Sequence, residues 1–463
     1  MNKYKYIFPA FSFYDRTGIQ NFLEQKAAEG WMLEKLGGFF WKFRRVEPKK
    51  VHFTVTFFPK ASMFDALASD QQIMYQEFCA HSGWNLIAAS AQLQIFCNEE
   101  DDPVPIETDP EIELQNIHKT AKKLYLPSYL SLLLVGIMPW LTISFSWRND
   151  PLGFLSTNIY LVNILTSISA LLMGGTEVVG YFLWYAKAKK AAQEGEFVPT
   201  KGRRRFQLVL VWLMVIGLMV FPLYYADSKI TLMVAAMLVL FAITTAISVG
   251  ATKLMKKLNF SARKNMIITY TIIGILSFAV VGLGTFGVIA GLNRWKPEEK
   301  DLPTYEFHGS THVLYQDELS IYVQDFMEVE PEAYSYRVTN RSESLLAKRE
   351  EAYQRPRYDR LDQPDLRYSI TEIKAEFLFD IALEAFLESN KDAWSEDIYG
   401  NVTYDEFRKI DPSPWGADIA YQEFSGEHAM SSYLLCYGTR IVELNPDWDM
   451  TAEQMAILGE IFN

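Results

Sequence analysis

The residue of this 463-residue chain best placed to do chemistry is Glu177. It is the one ionisable side chain well inside a long apolar run, 155–184. If Trp184 and Tyr185 mark a membrane interface, Glu177 lies ~11 Å deeper at helical rise. A carboxyl in hydrocarbon must face other protein groups, stay protonated or pair with a polar partner. Gly174, Gly175 and Gly180 flank it and allow a second helix to come close. Two readings stand. Glu177 is a ligand-binding or coupling residue, or it is a neutral carboxyl that only ties two helices together. The other candidates are weaker. His308 and His312 have metal-ligand spacing for a helix, but Gly309 and Ser310 interrupt it, so no metal is expected. Cys79, Cys97 and Cys436 show neither zinc-site nor redox spacing. No nucleophile elbow, phosphate-cradling glycine loop or zinc-protease helix is present, so no catalytic residue and no cofactor is assigned.

Hydropathy supplies the elements that must position Glu177. Five apolar runs, 124–147, 155–184, 206–226, 230–250 and 266–292, are each long enough to cross a bilayer as a helix. The expectation is an all-α five-helix transmembrane bundle (124–293) in a multi-pass protein of the bacterial cell membrane. Lys119, Lys122 and Lys123 precede the first run; Lys187, Lys189, Lys190, Lys201, Arg203, Arg204 and Arg205 follow the second. Lys253, Lys256, Lys257, Arg263 and Lys264 follow the fourth. By the positive-inside rule this side is cytoplasmic. The N-terminus is then cytoplasmic and the C-terminus extracytoplasmic, although Arg294 and Lys296 dissent. Met1–Phe13 lacks the apolar core and cleavage site of a signal peptide. Gly287 and Gly291 form a small-residue stripe suited to packing within the chain, and a homodimer stays open.

Residues 1–98 read as a duplicated α+β domain. Gly30-Trp31-Met32-Leu33 and Gly83-Trp84-Asn85-Leu86 each follow a helical pattern and precede alternating strands. Tyr4–Phe8 and Val51–Phe58 supply a strand before each helix. Two βαββ repeats predict one ferredoxin-like antiparallel sheet with two helices on one face. Gly30 and Gly83 fit helix ends that need positive φ, and Trp31 and Trp84 read as packing residues. Trp41-Lys42-Phe43-Arg44-Arg45 alternates aromatic and basic side chains, which fits a half-buried strand near anionic lipid better than nucleic acid. Residues 99–123 form an acidic, proline-bearing linker and a juxtamembrane helix.

Several blocks carry a resemblance. Phe11-Ser12-Phe13-Tyr14-Asp15, Ala28-Glu29-Gly30-Trp31, Trp41-Lys42-Phe43-Arg44-Arg45 and Ile106-Glu107-Thr108-Asp109-Pro110 resemble the signature blocks of a bacterial membrane-protein family, domain of unknown function 2812. The resemblance covers about residues 1–120. It implies a membrane protein in a stress or envelope context, since such proteins are often encoded beside PadR-like regulators. It assigns no site residues.

Residues 301–463 read as an acidic α+β domain, and the formal net charge of the chain is −12. No acidic cluster has calcium-loop spacing, which favours solubility over cation binding. Ser369-Ile370-Thr371-Glu372 has capping-box spacing, predicting a helix through Ile373, Phe377, Ile381 and Ala385. Ser432–Tyr437 and Arg440–Leu444 predict a hairpin turning at Gly438-Thr439, and Thr451 opens a final helix. Strands are expected near Leu319–Val323 and Tyr334–Val338.

The functional expectation is a non-enzymatic membrane sensor or regulator that couples the C-terminal domain to the N-terminal one. Membrane lipid and a cytoplasmic regulatory protein are its expected partners; nucleic acid is not. The alternatives are a membrane component of a transport or resistance system, with Glu177 in the pathway, and an extracytoplasmic enzyme.

Overall fold

A computed structural model describes residues 3–38, 40–200, 202–217, 228–294, 302–360, 362–391, 393–396 and 402–463. The chain divides into two compact units, Met1–Met138 with Leu165–Val288, and Pro139–Ile164 with Ile289–Asn463.

The first unit opens with β1 (Tyr4–Ile7), α1 (Arg16–Ala28), β2 (Trp31–Lys35) and β3 (Trp41–Arg45). The same order repeats in β4 (His52–Phe57), α2 (Asp70–His81), β5 (Asn85–Ser90) and β6 (Leu93–Asn98). Gly30 and Gly83 end the two helices at φ +82° and +83°, where a Cβ would be strained. The expected single ferredoxin-like sheet does not form. Each half pairs only with itself, giving two three-stranded antiparallel sheets ordered β1-β3-β2 and β4-β6-β5. In each, the last strand lies in the middle and its two partners use up its backbone groups, so the halves join through side chains. Phe22 and Leu23 of α1 pack in one core with Phe43, Val55 and Ile95, drawn from both sheets. The second sheet also buries its other face, where Phe96 and Trp84 meet Cys79 of α2. That is why β6 is buried at almost every position. Trp84 is core and donates its indole N–H to the Val104 carbonyl at 2.7 Å. Its counterpart Trp31 is only half-buried, between Lys5 and Arg45.

Asp109 caps α3 (Pro110–Thr120), accepting from the Glu111 and Ile112 amides, with Pro110 at the first helical position. One wide π turn, Ala121–Tyr125, carries α3 into α4 (Leu126–Asn149). Then follow α5 (Pro151–Ser156), α6 (Asn158–Gln193), α7 (Arg204–Val215), α8 (Ser228–Lys257) and α9 (Ala262–Arg294).

The five-helix transmembrane bundle must be corrected. Among the described residues two helices are long and apolar enough to cross a membrane, Pro110–Asn149 and Asn158–Gln193. The third expected run, 206–226, is helical as far as it is described, through α7 and on to Gly217. Residues 218–227, with Pro222, lie outside the described residues. The runs 230–250 and 266–292 fall on α8 and α9, where the side chains of 228–238, 241, 281 and 284–294 lie outside the described part, as does the Gly287–Gly291 stripe. Apolar run length counts residues; a span also needs an unbroken helix with its surface turned to lipid. On α4, Leu134, Val135, Leu141 and Phe145 are each more than 60% exposed.

The second unit is built on one eight-stranded antiparallel sheet, ordered β12-β13-β14-β15-β16-β11-β10-β9. Its strands are β9 (Tyr334–Glu343), β10 (Ala347–Pro356), β11 (Leu366–Ile373), β12 (Ala393–Glu396), β13 (Val402–Ile410), β14 (Ile419–Ser425), β15 (His428–Tyr437) and β16 (Arg440–Pro446). A separate hairpin, β7 (Thr304–Phe307) and β8 (Ser310–Val313), precedes it. Both faces of the sheet are buried. Tyr433, Leu435 and Tyr437 face one core, with Trp415 and with Leu458 of α11 (Ala452–Phe462). Leu434 and Cys436 face the other, with Leu152 and Leu155 of α5 and Phe386 of α10 (Phe379–Ser389). The continuous apolar run of β15 follows from this double burial. Thr451 and Gln454 form a capping box at α11.

Two local expectations fail here. Ser369–Glu372 opens no helix; it lies in β11, paired on one side with β10 and on the other with β16. Ile370, Thr371 and Ile373 are β-branched, and two neighbouring strands outweigh a local cap. Leu319–Val323 is no strand. It bends at Ser320 and Ile321 and runs into a 3-10 turn at Val323, with Leu319, Ile321 and Val323 buried. Side chains replace the ladder, for the Gln354 amide accepts from the Val323 N–H at 2.9 Å and donates to the Ile321 carbonyl at 2.8 Å.

Candidate functional site

Glu177 lies on α6 and is 3% exposed. Its Oε1 accepts from Ser12 Oγ at 2.6 Å and from Gln207 Nε2 at 2.8 Å, and the Tyr129 phenol faces the same carboxyl. Gln207 Nε2 also reaches Thr176 Oγ1 at 3.3 Å. These donors are neutral, so the group is held by hydroxyls and an amide rather than by a counter-ion. Such a set serves a carboxylate or a carboxylic acid with little rearrangement, which is what a proton-linked or conformational switch requires.

The Ser12 side of the site comes from the Phe11–Asp15 block, which docks on α4 and α6. Phe13 stacks on Tyr125 at 4.4 Å between ring centroids and packs against Tyr181 at 5.1 Å, while Tyr14 stacks on Trp184 at 5.4 Å. A Cβ at Gly180 would come within 2.8 Å of the Tyr14 hydroxyl, so glycine there is what admits the ring. Burial, and then the charge of Glu177, push the Tyr14 hydroxyl up to about 12. Asp15 caps α1 through the Gly18 amide and is itself buried. A Cβ at Gly202 would collide with the Asp15 carboxylate. Thr17 and Thr200 each donate an amide to the other's hydroxyl, at 3.0 and 3.1 Å. Arg204 donates to the Pro9 carbonyl at 3.1 Å and covers the Phe22 and Phe11 rings. Residues 9–17 are thus fastened to α6, to α7 and to the turn before α7.

A second charged group stands beside this one. Arg16 binds Glu113 at 2.6 Å and approaches Glu107 at 3.8 Å. They line a cavity of about 420 Å³ with Gln20, Thr54 and Phe197. Burial, with Glu113 adding to it, pushes the Glu107 carboxyl up to about 7 against the pull of Arg16. Residues 15–129 match a family model described as protein of unknown function (DUF2812). This part of the chain is a DUF2812 domain. No curated protein and no solved structure matches the chain. The matched residues take in α1, β2 and β3 of the first βαββ unit, the whole second unit, α3 and the start of α4, and leave β1 outside. They include Asp15, Arg16, Glu107 and Tyr129, and Ser12 and Glu177 fall outside their bounds.

In the second unit the corresponding polar group is Arg349 on β10, 7% exposed. It pairs with Asp150, with Glu351 at 2.9 Å and with Glu443 at 3.7 Å, and its Nε donates to Ser369 Oγ at 3.3 Å. Burial disfavours its charge, but Asp150, Glu443 and Glu351 outweigh that and raise its affinity for the proton. Around it the α4–α6 connection is bonded to the sheet. Ser342 donates to Ser156 at 2.9 Å, Ser344 to the Leu155 carbonyl, and Asn158 exchanges bonds with Glu343 and Leu345, both at 3.1 Å.

His308 and His312 are not helical neighbours. His308 sits in the β7–β8 turn at φ 51° and His312 lies on β8 opposite Tyr305. Glu177 was legible as a candidate because a carboxylate in an apolar run is conspicuous. Ser12 and Gln207 were not, because serine and glutamine carry no such contrast and lie 165 and 30 residues away. The aromatic block Phe11–Asp15 was visible as a motif, but nothing in the sequence states what it docks against.

Proposed function

We propose that this protein is a membrane-embedded, non-enzymatic sensor or regulator in which α4 and α6 couple the C-terminal domain to the DUF2812 domain. The observation that carries this reading is the Ser12–Glu177–Gln207 network, which ties the Phe11–Asp15 block, leading into the DUF2812 domain, to an apolar helix through one buried carboxyl. The same helix begins at Asn158, whose amide is bonded to the C-terminal sheet. In this reading the helix, held at polar points near both ends, is the element through which one domain biases the other.

Exposed Leu134, Leu141 and Phe145 on α4, and Val179 and Leu183 on α6, fit contact with lipid. In this reading Lys119, Lys122, Lys123, Lys187, Lys189 and Lys190 mark the cytoplasmic side by the positive-inside rule. The DUF2812 domain is then cytoplasmic, where a regulatory protein meets it. The α4–α6 connection is extracytoplasmic, and with it the C-terminal sheet whose Arg349 binds Asp150. A transport route through Glu177 is less well supported, since its carboxyl is already engaged by Ser12 and Gln207.

Hydrogen exchange on the full-length protein, wild type and Asp150→Lys, tests the coupling. Protection of residues 9–17 is expected to change in the variant. Unchanged protection, together with unchanged in-cell crosslinks from the DUF2812 domain, would lead us to abandon it. Labelling of single cysteines at positions 60 and 377 with a membrane-impermeant maleimide tests the sides, and only position 377 should react in intact cells.

A further inference from the structure

A cavity of about 460 Å³ opens in the C-terminal domain between the β7–β8 hairpin and the ends of β9, β10 and β11. That is within the range of small-molecule sites, about 300–1,000 Å³. Tyr305, His312, Tyr315, Tyr353 and Tyr358 bring aromatic rings to its walls, and Phe307 backs them. Tyr358 stacks on Phe307 at 5.9 Å with 19° between planes, and lies 4.8 Å from His312, which in turn lies 5.3 Å from Tyr305. The hairpin that presents three of these rings, Tyr305, Phe307 and His312, turns on His308 and Gly309, both at positive φ, so the ring positions are set by a tight turn. Tyr358 is half exposed, leaving a ring surface open to a ligand.

The two arginines at the site are already paired. Arg357 is held by both oxygens of Asp359 at 3.0 Å and lies over the Tyr305 ring at 4.5 Å. Arg355 pairs with Asp365 at 3.7 Å and lies over Tyr353. Asp447 approaches Asp365 through its backbone amide at 3.2 Å. A phosphate, nucleotide or carboxylate ligand would have to displace these carboxylates from their arginines. An apolar ligand would strand Gln363, Ser335 and Asp447 without water. Gln363 Oε1 is a buried acceptor with no partner among the described residues, and it waits for a donor. Flat apolar faces, planar polar side chains and a spare acceptor fit a ligand that is neutral, rich in hydroxyls and apolar on its ring faces.

We propose that this cavity binds a neutral oligosaccharide, with the Tyr358 ring as stacking platform and Gln363 Oε1 accepting a sugar hydroxyl. The proposal deepens the sensor reading by naming the ligand class of its C-terminal domain. Its test is direct binding, so it can fail while the coupling stands, and the coupling can fail while binding stands.

The experiment is calorimetric titration of the full-length protein in a detergent without a sugar headgroup. The probes are cellotetraose and tetra-N-acetylchitotetraose, with tetragalacturonate and inorganic phosphate as anionic counterparts. One or both neutral probes are expected to bind. Tyr358→Ala and Gln363→Leu should each weaken them about tenfold or more with unchanged circular dichroism, while Phe377→Ala, exposed on another part of the domain, should bind as wild type. The proposal is overturned if no neutral probe binds up to about 10 mM, if only the anionic probes bind, or if both site variants bind like the wild type.

Discussion

Glu177 and Arg349 are both buried ionisable groups at the α4–α6 pair, and they are solved in opposite ways. Glu177 is met by neutral donors, Ser12 and Gln207, both on Oε1. Arg349 is met by three carboxylates, Asp150, Glu351 and Glu443. A counter-ion locks a charge, because removing either partner strands the other in low dielectric. Neutral donors leave the protonation state free to change. The difference suits a fixed joint at Arg349 and an adjustable one at Glu177.

The sharpest way to break that comparison is at the joint expected to be rigid. Arg349→Met leaves three carboxylates crowded without a cation and should destabilise the second unit by about 3–5 kcal/mol. Thermal unfolding of the purified protein would show it, and a loss under ~1 kcal/mol would mean that the cluster is solvated instead. Glu177→Leu should cost less, about 1–3 kcal/mol, through the unsatisfied Ser12 and Gln207 side chains. Its signature is faster hydrogen exchange over residues 9–17, and Glu177→Gln should restore most of the protection because an amide still accepts from both.

A smaller effect separates the two units by pH. The folded Glu107 carboxyl lies at about 7, above its ordinary 4.5. The folded state therefore holds that proton more tightly than the unfolded chain does. The resulting stabilisation is complete below about 4.5 and is lost as pH rises through 7. A melting temperature that falls between these values in the wild type should fall less in Glu107→Gln; parallel curves would place the titration elsewhere. The smallest change is Thr451→Ala, which removes the α11 cap for about 1 kcal/mol and should leave residues 9–17 untouched. Altered exchange there would show that general destabilisation, rather than the polar joints, reaches the DUF2812 domain.

Local chemistry was read from the sequence where it is set within a few residues. Gly30 and Gly83 end their helices, Thr451 and Gln454 cap α11, and Gly438 turns the β15–β16 hairpin at φ 57°. Reading failed where two distant segments compete for the same backbone. Ser369–Glu372 carries a cap signal and still becomes β11, because β10 and β16 offer a full ladder on each side. Two βαββ units promise one sheet and give two, because β3 and β6 each take both partners from their own half. The five apolar runs illustrate the same limit, for hydropathy gives composition, and only helix continuity and surface exposure distinguish a span.

By itself the sequence determined the duplicated βαββ order, the DUF2812 blocks, the apolar character of α4 and α6 and the oddity of one carboxyl among them. These depend on periodicity, turn residues and composition, which act over short stretches of chain. Only the tertiary structure decided that Ser12 and Gln207 meet that carboxyl, that Asp150 meets Arg349, and that aromatic rings converge at Tyr358. Each of those pairings joins residues far apart in sequence whose types are individually unremarkable, so their energy exists only once the chain has brought them together.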